Sequence, residues 1–367
     1  MNFFCKNTGF FNKTCYTENR NRLLEEVRFP MDATVVHIDM RVENPTEDKP
    51  LMLEQVLFCP VLFWTCRELW VRGVRRFFIV CDESWKEEVE RVLSPMEGVQ
   101  VFTDAEEARV AAGECMCITG AVLPVEGEEE QFGWLRVESR AELQAVAHRC
   151  RDAICETLAV QGVIFVDPST TYIDPRAVIG RGTVILPGTI IRGESVVGEN
   201  CEVGPNSMIR DCIVGDRTTV NASQINESTI GCDTTVGPFA YVRPGCTVGD
   251  HCRIGDFVEL KNSVLGDGTK VSHLTYVGDS DVGARVNFGC GTVTTNYDGK
   301  KKYRCTVGDD VFLGCNTNLV APVTVGSGAY TAAGSTITAD VPEGALAVAR
   351  ARQENKPGWV KRFFGKK

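Results

Sequence analysis

Residues 272–279 read SHLTYVGD, and His273 within them is one of only four histidines in the chain. Histidine is the side chain whose unperturbed pKa, about 6.5, lies near neutral pH, so it can take up and release a proton there. It can also ligate a metal or simply support a turn. A zinc centre of the three-histidine type needs more histidines than this region has. Only His251 shares the glycine-rich part of the chain, since His37 and His148 precede it. No metal is therefore expected.

The elements that must position His273 are read from periodicity. From about residue 178, branched apolar residues recur six apart: Ile179, Ile185, Ile191, Val197, Val203 and Ile209. The register slips around 210–230 and resumes at Val236, Val242, Val248, Ile254 and Leu260. It returns at Val307, Leu313, Leu319, Val325, Thr331 and Ile337. Neither a helix nor an ordinary strand has this period, whereas a parallel β-helix does. Three six-residue units then make one coil of a triangular prism, with the apolar residue pointing inward. A glycine often follows that residue, and it is expected to allow a turn conformation closed to other side chains. The stretch NYDG (296–299) breaks the rhythm and predicts a loop with a D-G turn.

The first half has a different grain. Only 8 of the 35 glycines lie in residues 1–162. ATVVHIDM (33–40) and RRFFIVCD (75–82) read as buried strands, MCITGAVLPV (116–125) as a strand and turn, and SWKEEVERVLS (84–94) as an amphipathic helix. LMLEQVLFCPVLFWTCRELWVRG (51–73) reads as largely helical, with Pro60 starting, kinking or breaking it. Strands alternating with helices predict a small parallel α/β region. Ser139 and Glu142 form a capping box for a linking helix that Gly162 stops. The expected parts are 1–29, a leader; 30–137, a reduced α/β region; 138–162, the linker helix; 163–343, an all-β left-handed parallel β-helix; and 344–367, a basic tail.

The motifs VGPFAYVRPG, IGDFVELKNSVLGDGTKVSHLTYVGD, NFGCGTVTTNYDG, FLGCN and AAGST stand in one order along residues 236–336. In this they resemble the acetyltransferase half of the bifunctional N-acetylglucosamine-1-phosphate uridyltransferase/glucosamine-1-phosphate N-acetyltransferase family. The resemblance runs from about 135 to about 360. It implies the left hand of the coil, a homotrimer with active sites between subunits, acetyl-CoA as co-substrate and glucosamine 1-phosphate as acceptor. It also implies His273 as general base, Arg243, Lys261, Tyr276 and Asn287 as sugar-phosphate residues, and Cys290, Asn296, Tyr297, Cys315, Ala333 and Arg350 as coenzyme residues. Glu259 is expected to orient the imidazole. Two positions depart from the family, which has alanine at 290 and serine at 315. A thiol donates more weakly than a hydroxyl, so Cys315 is expected to lower the rate.

The resemblance fades before residue 135. The family's glycine-rich nucleotide loop has no counterpart, because residues 10–72 contain no glycine. Its V-N-x-R motif is replaced by Val137, Glu138, Ser139 and Arg140. Uridyl transfer is therefore not expected. The alternatives are a non-catalytic scaffold for a separate uridyltransferase, an acetyltransferase for another amino sugar, or a residual bifunctional enzyme.

A net charge of −10 argues against general nucleic-acid binding. No run of about 18 apolar residues is present, so no membrane span is expected. The 17 scattered cysteines read as reduced thiols of a cytoplasmic protein, many of them small buried residues.

Overall fold

The computed structural model describes residues 34–42, 49–126, 132–137 and 140–365. The expectations for the leader, Glu138 and Ser139 fall outside them. The chain forms two compact units, Met1–Ala222 and Ser223–Lys367.

The first unit opens with a four-stranded parallel sheet in the order Val99–Phe102, Arg76–Val80, Val35–Asp39, Met116–Thr119. Val36, Ile38, Phe77, Phe78 and Ile79 are fully or almost fully buried, as the unbroken apolar runs require of strands covered on both faces. Pro60 turns out to start a helix. It is the N-cap of Val61–Val71, where its missing N–H costs nothing. The residues before it instead form a short 3-10 turn, Leu51–Leu53, and a strand pair, Gln55–Val56 with Cys59–Pro60. The helix Arg140–Val160 stops as expected. Gly162, at φ +95°, donates to Ala159 O and Val163 donates to Leu158 O, both at 3.0 Å, which is the Schellman pattern.

The coil begins in this unit with Ile164–Phe165 and Tyr172–Ile173. Its registers stack like on like: Ile173 on Ile191 on Ile209, and Ile179 on Val197 on Val214. The first step of each stack is eighteen residues, and the second step of the latter is seventeen. That lost residue is the register slip seen in the sequence.

In the second unit the same three-sheet coil runs to Leu346–Ala347. Val236 pairs with Ile254, Ile254 with Val271, Val271 with Phe288, Phe288 with Leu313 and Leu313 with Thr331. The steps are eighteen, seventeen, seventeen, twenty-five and eighteen residues. The long step holds the NYDG loop. Ile254, Leu260, Leu313 and Leu319 are all 0% exposed, so these predicted inward residues do form the core, and Val271 and Val277 are buried with them.

The expected reason for the glycines holds at Gly204 and Gly237, which follow Val203 and Val236 with φ values of +115° and +106°, but not at every such position. Gly180 and Gly198 are not among the positive-φ residues. A Cβ on Gly180 would instead lie 2.6 Å from the backbone of Gly198, one coil away. These glycines are required by the close approach of successive coils, not by a special turn.

Candidate functional site

Because one coil is a fixed number of residues, corner residues form columns. Asp256 pairs in register with His273. The seventeen-residue step from Val271 to Phe288 carries His273 to Cys290, the next step carries Cys290 to Cys315, and the next Cys315 to Ala333. Backbone bonds close the same corner at three of these levels: Leu274 N to Asp256 O at 2.9 Å, Asn316 N to Cys290 O at 2.8 Å and Gly334 N to Cys315 O at 2.8 Å. Arg350 follows at the top, its Cδ 3.7 Å from where a Cβ on Gly334 would be. Five residues expected from the sequence, His273, Cys290, Cys315, Ala333 and Arg350, thus lie along one edge.

His273 Nδ1 lies 2.7 Å from Asp256 Oδ1. A carboxylate only accepts, so Nδ1 donates to it, and in the neutral ring Nε2 then has a lone pair to offer. The His273 side chain is 52% exposed, which leaves that nitrogen open to a substrate. The histidine's hydrogen bond holds the Asp256 carboxyl below the usual aspartate range. The carboxylate that orients the imidazole is therefore Asp256, which the sequence analysis does not single out, and not Glu259. The Glu259 carboxylate is engaged elsewhere, accepting from Arg243 Nη1 at 2.9 Å. Phe257 and Leu274, next to the pair, hold φ values of +56° and +45°, as do turn residues all along the coil such as Asn200, Arg217, Phe239 and Asn316, so the conformation belongs to the coil's turns and not to this site alone.

A second group lies at another corner. Arg243 N bonds to Leu260 O at 2.9 Å, so Arg243 sits one coil before Lys261, which pairs with Gly278. Lys261 Nζ donates to Asp279 Oδ2 at 2.9 Å, and Tyr276 Oη lies 2.3 Å from where a Cβ on Gly278 would be. Asp279 also accepts from Asn262 Nδ2, at 2.6 Å, and from Asn296 Nδ2. Burial alone would raise the Asp279 carboxyl, yet its bonds to Asn262, Lys261 and Asn296 prevail and hold it below the usual range. The Asp279 bond in turn raises the Lys261 ammonium, so this cation is fixed near neutral pH. The Glu259 bond does the same for Arg243.

The remaining expected residues separate. Asn287 stands on the strand leading into Cys290, between Lys270 and Phe312 in register. Asn296 is buried in the Asp279 network. Tyr297 is exposed and bonds through its hydroxyl to Gly299 O at 2.7 Å. Arg304 pins the end of that loop by a forked bond to Asp281 at 2.9 and 2.5 Å. Among the described residues no group of three or more potential metal ligands is found.

Asp279→Asn is expected to destabilise the protein by about 1.5–3 kcal/mol at neutral pH, the scale of hydrogen bonds to a charged group. The folded pKa of Asp279 is lowered, so its contribution is complete above the unfolded value of about 3.9 and is lost as pH falls through the folded value. Urea unfolding of both proteins should show a constant difference down to about pH 4 that shrinks below it.

The family description "Bacterial transferase hexapeptide (six repeats)" matches residues 176–211, 227–262 and 304–339. A protein from Geobacillus sp. (strain WCH70), "Bifunctional protein GlmU", is 52% identical over 239 residues, covering 65% of this chain and 51% of that one. Its namesake from Clostridium perfringens (strain SM101 / Type A) is 57% identical over 234 residues, covering 64% and 51%. The chain therefore spans about half the length of the curated relatives it matches. Among solved structures, an Arabidopsis UDP-N-acetylglucosamine acyltransferase is similar at 18% identity, covering 49% of this chain and 70% of that one, with a TM-score of 0.29, too low to add to the assignment. The hexapeptide part of this chain is similar to that of the bifunctional GlmU proteins, and its coil is the left-handed parallel β-helix that the resemblance implies.

Proposed function

We propose that this chain, a relative of the bifunctional GlmU proteins through its hexapeptide part, is a glucosamine-1-phosphate N-acetyltransferase that uses acetyl-CoA. The observation that carries the reading is the Asp256–His273 pair, with Nε2 open on an edge shared by Cys290, Cys315, Ala333 and Arg350.

The chemistry follows from that pair. His273 Nε2 takes a proton from the acceptor's amine, and the amine nitrogen attacks the thioester carbon. The C–N bond forms, the C–S bond breaks, and the proton passes to the departing CoA thiolate. Asp256 steadies the imidazolium formed on the way. No acyl-enzyme is required. Arg243 and Lys261, both fixed cations, suit a sugar phosphate dianion, and Tyr276 and Asn287 the sugar. Arg350 suits a phosphate of the coenzyme, with Asn296 shaping the loop that presents Tyr297.

We assign the phosphate corner and the His273 edge of one active site to neighbouring copies in a homotrimer. The exposed apolar residues Phe239 and Phe257, stacked at 5.5 Å, and Leu274 support a subunit contact beside His273. No described helix is long and apolar enough to cross a membrane, and we place the protein in the cytoplasm. Residues 30–137, 138–162, 163–343 and 344–367 remain the proposed functional parts. Uridyl transfer is not part of the proposal, because residues 10–72 offer no glycine to cradle a phosphate.

Offering acetyl-CoA with glucosamine 1-phosphate, glucosamine 6-phosphate or glucosamine, and identifying products by mass, tests the substrate. Acetylation confined to the 1-phosphate supports the reading, and a preference for either other acceptor refutes it. Arg243→Ala is expected to raise KM for the sugar phosphate roughly tenfold, the loss of one charge-assisted bond. The KM for acetyl-CoA should stay unchanged in the same steady-state assay.

A further inference from the structure

Most cysteines of the coil are inert packing residues. Cys201, Cys212, Cys232, Cys246, Cys252 and Cys305 are buried, and burial pushes the Cys201, Cys252 and Cys305 thiols up to about 11. They occupy small inward places that serine and threonine fill in adjacent coils. Cys201 N bonds to Thr183 Oγ1 at 3.0 Å, Cys246 N to Ser228 Oγ at 3.1 Å and Cys252 N to Thr234 Oγ1 at 3.0 Å. Buried thiols of this kind do not react near neutral pH.

Cys290 and Cys315 differ in every respect. Cys290 is half-buried and Cys315 exposed. They are consecutive members of the His273 column, and Asn316 N, next to Cys315, bonds to Cys290 O at 2.8 Å. The turns that hold them follow the in-register pairs Asn287–Phe312 and Phe288–Leu313, and stacked parallel strands lie about 4.8 Å apart. That spacing falls inside the Cα range of disulfides, roughly 4.4–6.8 Å. Nothing in the acetyl transfer proposed above uses two thiols here.

We propose that Cys290 and Cys315 form a reversible disulfide across adjacent coils, which closes the acetyl-donor edge when low-molecular-weight disulfides accumulate. The Cys315 thiolate attacks one sulfur of the small disulfide, giving a mixed disulfide and releasing one small thiolate, which takes up the proton Cys315 has lost. The Cys290 thiolate then attacks the Cys315 sulfur and releases the second small thiol, protonated by the proton Cys290 has lost. Two protein thiols are oxidised and one small disulfide is reduced to two thiols. His273, one coil before Cys290, is a proton acceptor in the same column. The bridge would stand where the thioester must lie, a consequence that rests on the proposed acetyltransferase reading.

The reduced full-length chain is treated with oxidised glutathione, its free thiols are blocked, and its peptides are mapped without reduction. The expected result is a peptide pair joining Cys290 to Cys315, lighter by two hydrogens, that is absent from Cys290→Ala and Cys315→Ser. Acetylated product formation should fall roughly 10²-fold, the scale of a misplaced substrate, and return with dithiothreitol. Recovery of Cys290 as a free thiol, with glutathione held on Cys315 or a cross-link elsewhere, overturns the proposal. So does a complete cross-link with unchanged turnover. The peptide map needs no activity, so an inactive reduced protein would defeat the acetyltransferase reading while the map still decides the disulfide.

Discussion

Replacing His273 by alanine is expected to lower kcat for acetyl transfer by about 10²-fold or more, the usual scale of general acid–base catalysis. His273 is exposed and sits on a corner, with its neighbour Val271 supplying the buried contact, so the coil should keep its fold. The KM values should change little, because the lost interaction is made with the proton in flight and not with bound substrate. Steady-state kinetics with circular dichroism of the same sample checks both. A variant with normal kcat would remove His273 from the chemistry and return SHLTYVGD to a turn.

The second large effect belongs to Asp256. Asp256→Asn keeps size and a hydrogen bond to the ring, but an amide can also donate, which allows the proton to move to Nε2. The rate is expected to fall roughly 10–10²-fold, the range for losing a partner that orients a functional histidine, with KM again little changed. A purely structural role would not move the imidazole tautomer, so nitrogen NMR of the histidine ring is the deciding readout. The native protein should show a protonated Nδ1 and a bare Nε2, and the variant a mixture. Glu259→Gln should leave that spectrum unchanged, because Glu259 is occupied by Arg243.

These two residues show how far the sequence alone reaches. Periodicity of branched apolar residues exposes the coil, because one inward residue per six is a strong, repeated signal. His273 stands out through its rarity and its neighbours. Asp256 does not, although it lies seventeen residues before His273, one step of the locally shortened coil. Counting in coils rather than along the chain finds it. The Lys261–Asp279 pair and the Asn262 and Asn296 bonds to the same carboxylate follow the same step of seventeen or eighteen residues. Glu259 is the natural guess because it is close in sequence to Lys261, but its carboxylate meets Arg243 from the coil before. In the α/β part, the strand Val99–Phe102 and the helix Ala105–Ala112 leave no clear trace in the sequence. Their short runs carry little periodicity, and the Asp104 cap, which accepts from Glu106 N and Glu107 N, is a local bond that only the structure displays.

The proposed function turns on whether this chain moves an acetyl group to the amine of glucosamine 1-phosphate. The decisive measurement is release of free CoA thiol from acetyl-CoA, with and without that acceptor, in native protein and His273→Ala. Release should depend on the acceptor and collapse in the variant. A folded native protein that releases no thiol in the presence of glucosamine 1-phosphate would refute the proposed acetyl transfer, and equal release without His273 would refute the histidine as its base.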